Sequence, residues 1–170
     1  IKPNVSIDYK SGYDSFEPFS ISNDSVTILG PKDILNEIDY IETEILSLSD
    51  VNSDINIDLN LLKPAYDDII LDFKSVKYKL EVDQYTEENI IIPVSILGGA
   101  EFKYNFYPKE LSVKYFISME NYKKTSPIDF RIECIFDQNK TMLVPSLIKK
   151  PKFIKNAKLS SNQVQLIILE

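Results

Sequence analysis

A side-chain period of two runs through this chain and limits its fold more than any other feature. Val5, Ile7 and Tyr9 alternate with polar residues, as do Ile55, Ile57, Leu59 and Leu61, and Val76, Tyr78, Leu80 and Val82. The pattern returns at Ile90, Ile92, Val94 and Ile96, at Leu111, Val113 and Tyr115, and at Phe130, Ile132, Cys134 and Phe136. Shorter runs hold Val26 and Ile28; Ile69, Leu71 and Phe73; Phe102, Tyr104 and Phe106; and Val164, Leu166 and Ile168. Such spacing sends one set of side chains to one face of a sheet. The chain therefore reads as mainly β, and 44% apolar residues give it a core to bury.

Helix is expected once with conviction. After Gly30-Pro31, residues Ile34, Leu35, Ile38 and Ile41 fall at helical spacing, and Pro31 suits a first turn where a missing N–H costs little. A weaker helical turn is expected from Ser118, as a cap, through Met119 to Tyr122. Turns are expected at residues 50–54, 98–99, 137–140 and 149–151. The two halves rhyme: strand, helical turn, strand, excursion and strand recur at a separation of roughly 85 residues. This predicts two tandem small β modules, each with at most one short helix, at residues 1–90 and 91–170. Gly98-Gly99 is the candidate junction.

The chemistry is notable for what is missing. There is no histidine and no tryptophan, and Arg131 is the only arginine. Without histidine there is no Ser-His or Cys-His nucleophile and no histidine-bearing zinc site. A net charge of −7 with one guanidinium disfavours nucleic acid and anionic lipid as partners. No run of 18 apolar residues exists, so direct membrane insertion by this segment is not expected. Cys134 sits on the apolar side of its alternation and reads as a small core residue. The chain is expected to work without catalytic groups, cofactor or metal.

The ordered motifs resemble the YbbR-like family. Val26-Thr27-Ile28-Leu29-Gly30-Pro31 is similar to the family's V-x-I-x-G-P element, and Ile38-Asp39-Tyr40-Ile41-Glu42-Thr43 to its helix exit. Val76 to Val82 followed by Thr86-Glu87 resembles the end of a repeat, and Ile92-Pro93-Val94 the start of the next. Gly30, Pro31, Thr43, Thr86 and Glu87 are thereby family-motif positions of structural character. The second half departs, because no Gly-Pro follows Tyr115. It reads as a degenerate copy that resembles the close of the two-module, Bacteroidetes-type proteins.

The resemblance implies modules similar to the C-terminal domain of ribosomal protein L25. It implies an extracytoplasmic protein, anchored by an N-terminal helix absent from this segment; a chain beginning at Ile1 reads as trimmed or processed. It also implies work by contact: regulation or scaffolding of a protein partner at the membrane, as CdaR-like members modulate a diadenylate cyclase. The alternative is a surface adhesin or glycan-binding β module.

Other constellations have plainer readings. Asp50-Val51-Asn52-Ser53-Asp54 resembles the front of a calcium loop but lacks the later glycine and glutamate, so it reads as a solvated turn. In Asp67-Asp68 and Glu87-Glu88, neighbouring strand residues face opposite ways and make no carboxylate pair. The aromatic run Phe102, Tyr104, Phe106 and Tyr107 is the candidate partner surface.

Overall fold

The structure, a computed structural model, describes residues 1–169. It divides into two compact units, Ile1–Gln84 and Tyr85–Glu170. Gly98 and Gly99 therefore fall inside the second unit, just past the end of a strand.

The first unit contains β1 (Lys2–Tyr9), β2 (Tyr13–Asp14), β3 (Ser20–Ile21), β4 (Ile28–Leu29) and α1 (Lys32–Leu35). It continues with β5 (Glu42–Val51), β6 (Ile55–Asn60), β7 (Ile70–Leu71), β8 (Ser75–Leu80) and the first two residues of β9 (Asp83–Leu97). The alternation is legible in burial: along β8, Val76, Tyr78 and Leu80 are buried while Ser75, Lys77 and Lys79 are open. The core joins these residues to Ile41, Ile55, Leu59, Leu61 and Val82.

The second unit holds the rest of β9, then β10 (Tyr104–Tyr107), β11 (Glu110–Ser118), β12 (Arg131–Ile135) and β13 (Met142–Leu143). It closes with β14 (Ser146–Lys149), β15 (Ile154–Leu159) and β16 (Val164–Ile168). Its core is larger: thirteen buried apolar residues, among them Val113, Ile117, Ile132 and Val164 with no measurable exposure.

The two units share one pairing diagram. In each, the opening strand pairs in parallel with a strand about forty residues on: β1 with β5, and β9 with β12. In each, a three-stranded sheet places the closing strand centrally, as β3-β8-β6 and as β10-β16-β13. In each, a further antiparallel pair completes the set, β4 with β7 and β11 with β15. The rhyme read in the sequence is thus a repeat of topology. The second unit enlarges it, because β11 also runs antiparallel to β9 and gives the five-stranded path β14-β12-β9-β11-β15.

Two helical expectations need correction. The first helix is a single turn. Pro31 stands before it as an extended N-cap (φ −61°, ψ 138°), and the chain leaves the helix at Asn36. Ile41 lies outside the helix because its carbonyl accepts the Lys2 N–H at 2.8 Å at the entry to β5, while its side chain is buried in the core. Ser118 caps no helix. It ends β11, buried, and its carbonyl and hydroxyl are taken by the backbone N–H and side-chain amide of Asn121. Two single 3-10 turns follow, Tyr122–Lys124 and Pro127–Asp129, the latter closed by a Ser126/Asp129 capping box.

Candidate functional site

The motif positions of the first unit fall at points where ordinary pairing fails. Gly30 lies against the side chain of Ile69, which is 1% exposed. A Cβ on Gly30 would collide with Ile69 Cδ1, and a buried isoleucine has nowhere to swing. Pro31 then fixes the extended approach to α1. Thr43 is fully buried in β5, at a register shift where three residue steps of β5, from Glu42 to Ile45, face two of β1, from Lys2 to Asn4. The shift leaves the Asn4 N–H without a ladder partner; it donates instead to Thr43 Oγ1 at 2.9 Å, and that hydroxyl donates to the Glu44 carbonyl at 3.0 Å. Both residues thus act on the fold, filling a close approach and a bulge.

Thr86 and Glu87 stand in β9, within the second unit. They pair with Ile117 and Phe116 of β11. Thr86 is half-buried, whereas Glu87 points out and meets Lys114 at 2.8 Å in an exposed ion pair.

The aromatic run is divided by the fold. Phe102 stacks on Phe136 at 5.3 Å between ring centroids, and Tyr104 tilts against the same ring at 5.2 Å. Phe106 packs on the core beneath the Lys109 ammonium, 3.7 Å from its ring centroid. Only Tyr107 is open, at 71% exposure. The expected aromatic edge is mostly an inward packing face, because Phe136 and the core need those rings.

The turn at residues 50–54 is already occupied by its own backbone. Asp50 and Val51 end β5, and Asp54 Oδ1 accepts the Val82 N–H at 2.8 Å. Among the described residues no group of three acidic or thiol side chains converges as a metal site would require. Burial pushes the Cys134 thiol above its ordinary pKa, which keeps it neutral and poorly nucleophilic. Burial also raises the phenols of Tyr9, where the Asp14 charge adds to the effect, and of Tyr78, where Tyr9 adds to it. The Asn139 backbone N–H holds the Asp137 carboxyl below its ordinary range, helped by Lys140.

What sequence reading missed is on the surface of each unit. The charge is not shared evenly. Residues 1–84 carry seven lysines against seventeen acids, a net of −10; residues 85–170 carry twelve basic residues against nine acids, a net of +3. The first unit has an open groove of about 470 Å³ lined by Leu61, Ile69, Ile70 and Leu71 between Lys63 and Lys74. The second has a groove of about 370 Å³ floored by Leu97 and Ile135, which are parallel partners of β9 and β12. The charge division was countable in the sequence. The second groove was not, because it is assembled from strands far apart along the chain.

Comparison with known proteins bears on the first unit. The family model for YbbR-like protein matches residues 1–80. The first unit belongs to the YbbR-like family. The match covers Gly30, Pro31 and Thr43 of the YbbR-like module and stops before Thr86 and Glu87. No curated protein matches the chain. Among solved structures, a YbbR-like protein from Streptococcus pneumoniae TIGR4 aligns over 97% of this chain and 90% of its own, at 11% identity with a TM-score of 0.32. A score that low carries no fold assignment, and the YbbR-like reading rests on the family match.

Proposed function

We propose that this chain is the extracytoplasmic, non-catalytic part of a membrane-anchored YbbR-like protein, and that it regulates or scaffolds a protein partner at the membrane. The match of residues 1–80 to the family carries the reading. The repeated pairing diagram supports treating the second unit as a divergent copy of the first, so both serve one purpose. The site chemistry is consistent with work by contact. The motif residues Gly30 and Thr43 serve packing and pairing, the single thiol is buried, and the open features are charge and apolar surface. A membrane diadenylate cyclase is the partner class that the family resemblance suggests.

The test is cross-linking of the full-length protein in membranes of its own cells, followed by identification of what is joined to it. The expected result is a membrane protein linked through residues of either unit. Recovery of the full-length protein solely from soluble cytoplasm, with no membrane partner joined, would sink the proposal.

A further inference from the structure

We propose that the free edge of β14 is a docking site for an extended, acidic strand of a partner protein, which adds to the β14-β12-β9-β11-β15 sheet of the second unit. This rests on the reading of the chain as a contact module and names the surface and the kind of ligand. Strand β14 lies at the end of its sheet and, among the described residues, is laddered by β12 alone. Its other edge presents backbone donors and acceptors, a template for one more strand.

The neighbourhood of that edge is apolar in a way the fold does not need. Ile135 is 78% exposed, Val144 71%, Ile148 52%, Leu97 49% and Met142 47%, and these five line one groove. Clustered open aliphatic side chains mark contact surfaces more often than scattered ones do. The groove opens on the sheet face of β9, β12 and β14, so its rim at Val144, Ser146 and Ile148 would meet those side chains of an added strand that point to this face, which supplies specificity where the backbone supplies affinity.

Charge selects the partner. Beyond β14 the chain runs Lys149-Lys150-Pro151-Lys152, on a unit whose net charge is +3 within an acidic protein. Lys149 also donates to the Ile128 carbonyl at 2.9 Å, which fixes this ammonium at the end of the edge. The acid in the groove, Glu133, is neutralised by Arg131 at 2.9 Å, and Lys140 is paired with Asp137 at 3.4 Å. Lysines on an edge commonly serve to deter aggregation. Here they repel a second copy of the same edge, since like charges brought opposite each other destabilise a ladder. They do not explain the open aliphatic residues beside them. An acidic strand satisfies both features at once.

The test uses the whole chain and synthetic peptides of about ten residues, a length that covers a typical strand. One alternates valine with glutamate, one valine with lysine, and a third repeats the first with a central proline. Binding is followed by fluorescence anisotropy of labelled peptide and by backbone amide shifts. The glutamate peptide is expected to bind, to shift the amides of residues 146–149, and to weaken as salt is raised. The lysine and proline peptides are expected to bind at least about tenfold more weakly. Ile135→Glu, a change at an open position, is expected to weaken the glutamate peptide about tenfold or more. Lys149→Glu with Lys150→Glu should reverse the preference between the charged peptides.

Binding that ignores charge and Ile135→Glu, shifts confined to other residues, or no binding at millimolar peptide would each overturn the proposal. So would self-association in sedimentation that Ile135→Glu abolishes, because that assigns the edge to a second copy. The membrane cross-linking experiment reads out separately. Failure of the peptides with a membrane partner still recovered removes the β14 edge alone; the reverse result removes the membrane role and keeps the edge.

Discussion

The two units solve one pairing diagram with different materials. In the first, the parallel pair β1 and β5 stands as a two-stranded sheet, and most of its inward residues, including Val5, Ile7, Leu46 and Leu48, are only half-buried. In the second, the corresponding pair β9 and β12 is embedded in a five-stranded path, and Ile92, Val94, Ile132 and Cys134 are buried. The first unit relies more on fixed points, the Gly30 approach and the Thr43 hydroxyl, and the second more on apolar mass. That contrast accounts for the Gly-Pro element being present in one copy and dispensable in the other, since a nine-residue β11 replaces the two-residue β4 that the glycine follows.

Core truncation is the strongest way to break this comparison. Ile117→Ala removes a side chain with no exposure and is expected to cost about 2–5 kcal/mol, lost transfer energy plus a cavity. Ile7→Ala, at a half-buried place in the first unit, is expected to cost about 1–2 kcal/mol. Urea midpoints, with amide signals of each unit followed separately, measure both. Equal costs would mean that the first unit is as tightly packed as the second.

The fixed points come next. Gly30→Ala is expected to destabilise the first unit by about 1–3 kcal/mol through the clash with Ile69. Shortening the neighbour as Ile69→Val removes the colliding methyl, so the double variant should lose less than the sum of the singles. A neutral Gly30→Ala would show that packing is not why this position holds glycine. Thr43→Val keeps the shape and removes the hydroxyl, leaving the Asn4 N–H unpaired at a cost of about 1–3 kcal/mol, whereas Thr43→Ser should restore most of the stability. Both are read from the same denaturant curves.

These fixed points show what the sequence could and could not reveal. Strands β6, β8, β9, β11 and β12 were legible because their alternation is unbroken and one face is buried. Strands β5 and β15 were not read as alternating, for a shared reason: each sits beside a register shift. In β5 the Ile45 side chain faces out, 74% exposed, next to the half-buried Leu46, and Asp50 takes a positive φ of 57° near the strand's end. In β15 Asn156 has a φ of 50°, opposite the shift between Lys114 and Phe116. A bulge adds a residue and flips the face, which erases a period of two. The spacing overstates the helix, because Ile38 and Ile41 keep helical spacing by coincidence while the core and β1 claim them. Of the site, the motif residues were legible one by one, but the groove beside β14 exists only after β9, β12 and β14 meet.

Alkaline titration separates the units by a different property. Folded Cys134 has a raised pKa against an ordinary value of 9.0, and Tyr9 and Tyr78 have raised values against 10.0. For such groups the neutral form is favoured by folding, so their contribution is complete below the unfolded pKa and is lost as pH rises through the folded one. The second unit should therefore begin to lose stability above about pH 9 and the first above about pH 10, the unfolded values of these groups. Cys134→Ala should flatten the first of these slopes relative to its own value at neutral pH. Tyr78→Phe should flatten the second. Slopes that persist in both variants would assign the loss to other groups.

The smallest effect is expected at Glu87, and it bears on what the second half of the family motif is for. The Glu87 side chain is 45% exposed and meets the Lys114 ammonium, itself 58% exposed. Open ion pairs of this kind contribute up to about 1 kcal/mol and fade with salt. Glu87→Gln should therefore lower stability by less than about 1 kcal/mol at low ionic strength, with the difference gone at high salt. Thr86 lies on the opposite side of the strand and is half-buried, whereas Glu87 faces solvent. Should Glu87→Gln prove as costly as Thr43→Val, the carboxylate would be a structural fixed point like those of the first unit, and the contrast between the two units would narrow. A negligible cost joined to weaker cross-linking at the membrane would instead mark Glu87 as a contact residue, and would place the second unit's motif on its surface where the first unit keeps its own inside.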